Sequence, residues 1–238
     1  MLHSHYAEMI EEIGPPRGGK APSAEAMDYL RAHLPAAYVG FIEEFGFGHY
    51  FDRGYQFCDP LAFRPVVALI FKADSDFSHA DCHVVAYNAW GTLKMWSERH
   101  GEVTVDLLRY TVKAPRLLPN VMNAPILPAG MAGTATEPDA NSLSAALLPW
   151  DDNARELWDF ADEPMFREAV RRLGPLQAGE CFGFVPSLAV AGYDSRTRAV
   201  ENVQKMDALV HFTMIAQLAP FALTHLVHGR ETIAREIG

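Results

Sequence analysis

The side chains best suited to chemistry in this chain are histidines, carboxylates and cysteines gathered in a few short runs. The densest is His79-Ala80-Asp81-Cys82-His83, which holds every residue type that a divalent transition metal favours. Acting together, His79, Asp81 and His83 would make a metal-dependent hydrolase. Metal binding needs converging donors, however, and His83 opens an alternating pattern, so neighbouring side chains are expected on opposite faces of a strand. The run therefore reads as a solvated loop leading into a strand. His225-x-x-His228 could share one helical face and His3-Ser4-His5 could chelate opportunistically, but neither pair has an evident third ligand. No catalytic residue, metal or cofactor is expected.

Other chemistries find less support. Gly46-Phe47-Gly48 follows a helical pattern instead of a strand and lacks the rest of a phosphate-binding fingerprint. No Gly-x-Ser-x-Gly elbow occurs, and Ser, His and Asp are too dispersed to suggest a triad. Cys58, Cys82 and Cys181 are odd in number and far apart, which predicts reduced, buried thiols.

Carboxylates fall into two groups: Asp74, Asp76 and Asp81 in one loop, then Asp151, Asp152, Glu156, Asp159, Asp162 and Glu163. Paired acids work as general acid and base only when burial and facing geometry separate their pKa values, which spacing does not establish. Such runs are ordinarily solvated faces. On a chain of formal net charge −10 they also suit a basic protein partner, whose groove an acidic surface could fill as a nucleic-acid backbone does. Aromatics beside them could anchor the contact. The expected partner-binding residues are Asp74, Asp76, Phe77, Asp81, Trp150, Asp151, Asp152 and Glu156; Trp158 suits a core as well as a surface. The same charge repels phosphates, so direct nucleic-acid binding is not expected.

The elements that must position these residues are legible in part. Ser4 to Ile13 reads as a helix ended by Gly14-Pro15-Pro16; Ser23 caps a second, and a third runs from Pro35 to about Phe45, stopped by Gly46 and Gly48. A hairpin is expected over Tyr50 to Phe57, and Asp59-Pro60 starts a turn or helix, with Pro65 to Phe71 ambiguous. His83 to Tyr87, Thr92 to Trp96 and Glu102 to Leu108 alternate with period two, as three antiparallel strands. Pro115 to Asn141, rich in Pro, Ala, Gly and Asn, reads as a linker. Beyond it, short helices are expected over Leu143 to Leu148, Asn153 to Phe160 and Glu163 to Leu173, and a strand over Cys181 to Val185. A last helix should carry Val203, Met206, Val210, Met214 and Gln217 on one stripe, with Leu209 and Leu218 widening it. The fold class is α+β: N-terminal helices packed on an antiparallel meander, followed by a smaller, helix-rich α+β C-terminal domain. The expected division is 1–115, a linker over 116–141, and 142–238.

The order of motifs carries a resemblance. Leu34-Pro35-Ala36-Ala37-Tyr38 through Phe41-Ile42-Glu43-Glu44-Phe45-Gly46-Phe47-Gly48, then Asp59-Pro60 and Asn88-Ala89-Trp90-Gly91-Thr92-Leu93 before Met95-Trp96, resembles GAD-like domains. Leu173-Gly174-Pro175-Leu176, Gly183-Phe184-Val185-Pro186-Ser187-Leu188 and Asn202-x-x-Lys205, with His211 and Ala216-Gln217-Leu218, is similar to a companion domain found with it in type VI secretion immunity proteins. Some of those protect against DNase effectors. The chain departs in its Ala/Pro linker, at Ala191-Gly192 and in the segment after Pro220. The resemblance implies a non-enzymatic immunity protein that binds a cognate toxin, a nuclease in the DNase-linked cases, and occludes its cleft. The rival readings are an adaptor for another partner and the hydrolase above.

No run of about twenty apolar residues exists, and no basic patch leads into an apolar segment at the N-terminus. No membrane association is expected, and the expected compartment is the cytoplasm.

Overall fold

The computed structural model describes residues 2–121 and 148–238, and three of the first four helices start where a side chain satisfies a free backbone group. Helix α1 (Ser4–Ile13) is followed by strand β1 (Arg17–Lys20), helices α2 (Ala24–His33) and α3 (Ala36–Phe45), strands β2 (Phe47–Tyr50) and β3 (Tyr55–Phe57), and helix α4 (Pro60–Phe71). Ser23 Oγ accepts the Ala26 N–H at 3.1 Å and Asp59 Oδ1 accepts the Leu61 N–H at 3.0 Å, each satisfying an otherwise orphaned first-turn donor. Gly46 ends α3 at φ 70°, a conformation that favours glycine. The ambiguous Pro65–Phe71 stretch continues α4, with Pro65 unable to donate a backbone hydrogen bond inside the helix.

Strands β4 (Cys82–Asn88), β5 (Thr92–Ser97), β6 (Gly101–Asp106) and β7 (Thr111–Lys113) form the expected meander. Downstream come helix α5 (Phe166–Leu173), strand β8 (Glu180–Phe184), the short helix α6 (Leu188–Ala191), strand β9 (Val203–Asp207), helix α7 (Ala208–Ile215) and strands β10 (Ala222–Val227) and β11 (Arg230–Glu236). Among the described residues one sheet runs β1-β2-β3-β4-β5-β6-β7-β10-β11, antiparallel except for the β7–β10 pair, while β8 and β9 form a separate ribbon. The class is thus α+β, with a smaller helix-containing C-terminal region.

Strand β4 is buried on both faces. Val84 joins α4, Met95, Val103 and Val105 in one cluster, whereas Val85 and Ala86 join Tyr6, Met9, Phe41 and Ile42 of α1 and α3 in another. A third cluster is made where Trp90, on the turn after β4, inserts among Phe166, Phe182, Phe184 and Leu188. Its indole Nε1 donates to the Arg155 carbonyl at 2.8 Å, and the Phe182 N–H donates to the Ala89 carbonyl at 2.7 Å. The meander and the C-terminal region therefore share a packed, hydrogen-bonded seam.

Several sequence expectations change. The stretch expected as one helix from Val203 is a strand through Asp207 followed by a helix; Asp207 Oδ1 accepts the Val210 N–H at 2.9 Å and so starts the helix anew. Asn153 to Phe160 forms only a 3-10 turn over Asp152–Arg155, because Glu156 turns extended (φ −84°, ψ 146°). The segment after Pro220 is a hairpin added to the main sheet: His225 lies in β10, and His228 (φ 50°) with Gly229 (φ 77°) makes the two-residue turn, so these histidines share no helical face. The expected helix over Leu143 to Leu148, apart from Leu148 itself, and the part of the 116–141 segment beyond Val121 lie outside the described residues.

Candidate functional site

The first acidic group is held by the fold's own cations. Asp74 closes its loop by accepting the N–H groups of Asp76 and Phe77 at 2.9 and 3.2 Å. Arg235, delivered by β11, donates through Nη2 to Asp74 at 2.9 Å and to Asp76 at 2.6 Å. Burial would raise the Asp74 carboxyl, but Arg235 and the backbone N–H groups of Asp76 and Gly238 hold it at about 2. Asp81 pairs with Arg99 at 2.5 Å. Phe77, expected as an anchor, is fully buried and stacked on Phe71 at 4.8 Å, so it presents no face to a partner. This loop is a clasp that fastens the C-terminal hairpin to the end of α4.

The second group surrounds a buried arginine that sequence reasoning missed. Arg155 Nη2 donates to Asp152 at 2.7 Å and Nε to Glu156 at 3.3 Å, while its guanidinium lies 5.2 Å from the Phe166 ring centroid. Glu156 Oε2 also accepts the Phe166 N–H at 3.3 Å, and Asp151 accepts the Asn153 N–H at 2.9 Å. A buried charge survives only when paired and hydrogen-bonded, which accounts for the acids beside it. Asp151 and Asp152 still face water and Trp150 is half-buried against the α1–α3 cluster. The two acidic groups are thus separate local arrangements.

The His79-to-His83 run does not converge. His79 is exposed, Asp81 is engaged by Arg99, and His83 turns inward to a different set of partners. His83 Nδ1 lies 2.8 Å from Tyr29 Oη and its Nε2 lies 3.0 Å from Glu98 Oε1; His33 Nδ1 reaches the same oxygen at 2.8 Å. The ligand atoms of His33, His83 and Glu98 all lie within 4.8 Å of one another. Burial lowers the His83 pKa, against the opposing pull of Glu98, so the ring favours its neutral form. No spacing rule links positions 33, 83 and 98; the grouping exists only once α2 packs across the β4–β5 hairpin. All three cysteines are buried, and burial pushes the Cys82 thiol up to about 12.

An apolar surface also emerges on the outer side of α7. Helix α7 buries Ala208, His211, Phe212 and Ile215. Val210, Met214 and, just beyond the helix, Leu218 remain 70%, 48% and 46% exposed. Residues four apart line one helical stripe, so Val210 and Met214 share an apolar edge next to water, with Leu218 exposed just beyond it. Among the described residues no helix is long and apolar enough to cross a membrane.

Comparison with known proteins gives this arrangement a context. A GAD-like domain matches residues 4–109, and the C-terminal domain of the type VI secretion system immunity protein Tdi1 matches residues 144–219. The fold is similar to that in the crystal structure of Atu4351 from Agrobacterium tumefaciens, with a TM-score of 0.80 and 23% identity over 98% of each chain. No curated protein matches the chain.

Proposed function

From a chain that joins a GAD-like domain to a Tdi1-type immunity domain, we propose a protein that binds a cognate type VI secretion toxin and neutralises it by occluding its active or substrate-binding cleft. The observation that carries this reading is the immunity domain over residues 144–219. It performs no covalent chemistry in this role, and its compartment is the cytoplasm, where an incoming toxin would act. A nuclease is the toxin class that best suits the net charge of −10, since an acidic body is attracted to a basic, phosphate-binding groove.

Within this reading, charge and contact are divided between surfaces. Asp151 and Asp152 face water and can meet a basic rim, with Trp150 beside them. Asp74, Asp76, Asp81 and Glu156 act through the field and through the rigid frame they maintain. The anchoring contact falls to Val210, Met214 and Leu218, which lie in the region matched to the immunity domain and leave apolar area to be buried. A preformed surface limits the entropy lost on docking. Coexpression with the toxin encoded beside it should restore growth, and the two purified proteins should form a stable complex. A toxin that still kills and forms no complex rejects the reading.

A further inference from the structure

We propose that His33, His83 and Glu98 form a site for a zinc-class divalent metal ion, which clamps the C-terminal end of α2 onto the β4–β5 hairpin. Three elements deliver the ligands: His33 ends α2, His83 lies in β4, and Glu98 follows β5. The Glu98 backbone is fixed by its N–H donating to the Asp81 carbonyl at 2.8 Å. Two imidazole nitrogens meet a single carboxylate oxygen at 2.8 and 3.0 Å. Ligand atoms each about 2.0–2.1 Å from a tetrahedral zinc are roughly 3.3–3.4 Å apart, so an ion fits once the two carboxylate contacts open by a few tenths of an ångström and the two imidazole nitrogens, which lie within 4.8 Å of each other, settle to the same spacing. Two imidazoles and one carboxylate are a donor set suited to zinc, leaving one position for water.

The surroundings supply what a metal-bound histidine needs. Tyr29 Oη sits 2.8 Å from His83 Nδ1. When Nδ1–H donates to that oxygen, the tautomer is fixed and the Nε2 lone pair faces His33 and Glu98, the outer-shell arrangement that orients ligating imidazoles. The Tyr29 ring also packs on His33, with centroids 4.5 Å apart. The His83 side chain is fully enclosed, whereas His33 and Glu98 are 34% and 42% exposed, which gives an ion a route in and a wet side. Because ligands from positions 33, 83 and 98 meet only in the folded chain, binding stabilises the fold by mass action.

The full chain, stripped with chelator and titrated with zinc ion against a competing chromophoric chelator, should take up one equivalent with submicromolar affinity and melt at a higher temperature. His33→Ala and Glu98→Gln change partly exposed side chains; with folding checked by circular dichroism, each should weaken zinc binding roughly 100-fold or more, and Tyr29→Phe roughly 10–100-fold. A His3→Ala/His5→Ala double variant should bind as the parent does. Failure to bind stoichiometric zinc overturns the proposal. So does binding that survives both His33→Ala and Glu98→Gln, or binding that disappears with His3 and His5.

Discussion

Acid should weaken this fold in part through His211, and the size of its contribution follows from its burial. His211 lies on the inner side of α7, over Gly183, where an added Cβ would stand 2.6 Å from its Nε2. Its Nδ1 is buried without a hydrogen-bond partner among the described residues. Burial lowers its pKa from 6.5 to about 4. The folded chain therefore refuses a proton that the unfolded chain accepts, and stability falls as pH drops from about 6.5 towards 4. A gap of about 2.5 units at 1.36 kcal/mol each amounts to ~3 kcal/mol in full, with about 2 kcal/mol lost by pH 5. Urea unfolding at pH 7 and pH 5, on the parent and on His211→Leu, isolates this contribution from every other titrating group. With a slope of roughly 2–3 kcal/mol/M, the parent midpoint should fall by about 0.7–1 M more than that of the variant. Equal shifts in the two proteins, or an NMR-measured His211 pKa near that of free histidine, would refute the reasoning.

Two further outcomes separate docking from folding. Met214→Asp and Val210→Asp place a charge on an exposed stripe, so unfolding free energies should stay within about 0.5 kcal/mol of the parent, while toxin binding measured by calorimetry should weaken about 30-fold or more, as for an interface hot spot. Unchanged affinity would move the contact away from α7. Gly54→Ala would put its Cβ 2.2 Å from Arg155 Cβ and 2.9 Å from the Phe51 carbonyl oxygen, so it should destabilise by about 1–3 kcal/mol or more and lower the melting temperature by several degrees. Gly40→Ala, on the exposed side of α3 with nothing within 4 Å, should instead leave the melting temperature unchanged or raise it.

The chain's local chemistry determined much of what was read from it directly. Ser23, Asp59, Gly14 and Gly46 mark helix ends because caps and stops satisfy backbone groups within a few residues. The period of two in β4–β6 follows from alternate side chains facing opposite sides of a sheet, and the ordered motifs around Asn88-Ala89-Trp90-Gly91 and Gly183-Phe184-Val185-Pro186 were sufficient to identify both domains. Tertiary structure decided the rest, because it depends on partners far apart in the chain. Val203 to Leu218 looks like a single apolar stripe until pairing with β8 draws Val203–Asp207 into a strand and leaves Val210 and Met214 on the wet side. The turn signal His228-Gly229 was present, but only the free edge of β7 gave the C-terminal hairpin a sheet to join. The acids at 74, 76, 152 and 156 look like a solvated charge run in one dimension; Arg235 and Arg155 make them parts of the frame. His33, His83 and Glu98 become neighbours only because helix packing brings distant residues to hydrogen-bonding distance, which sequence spacing does not encode.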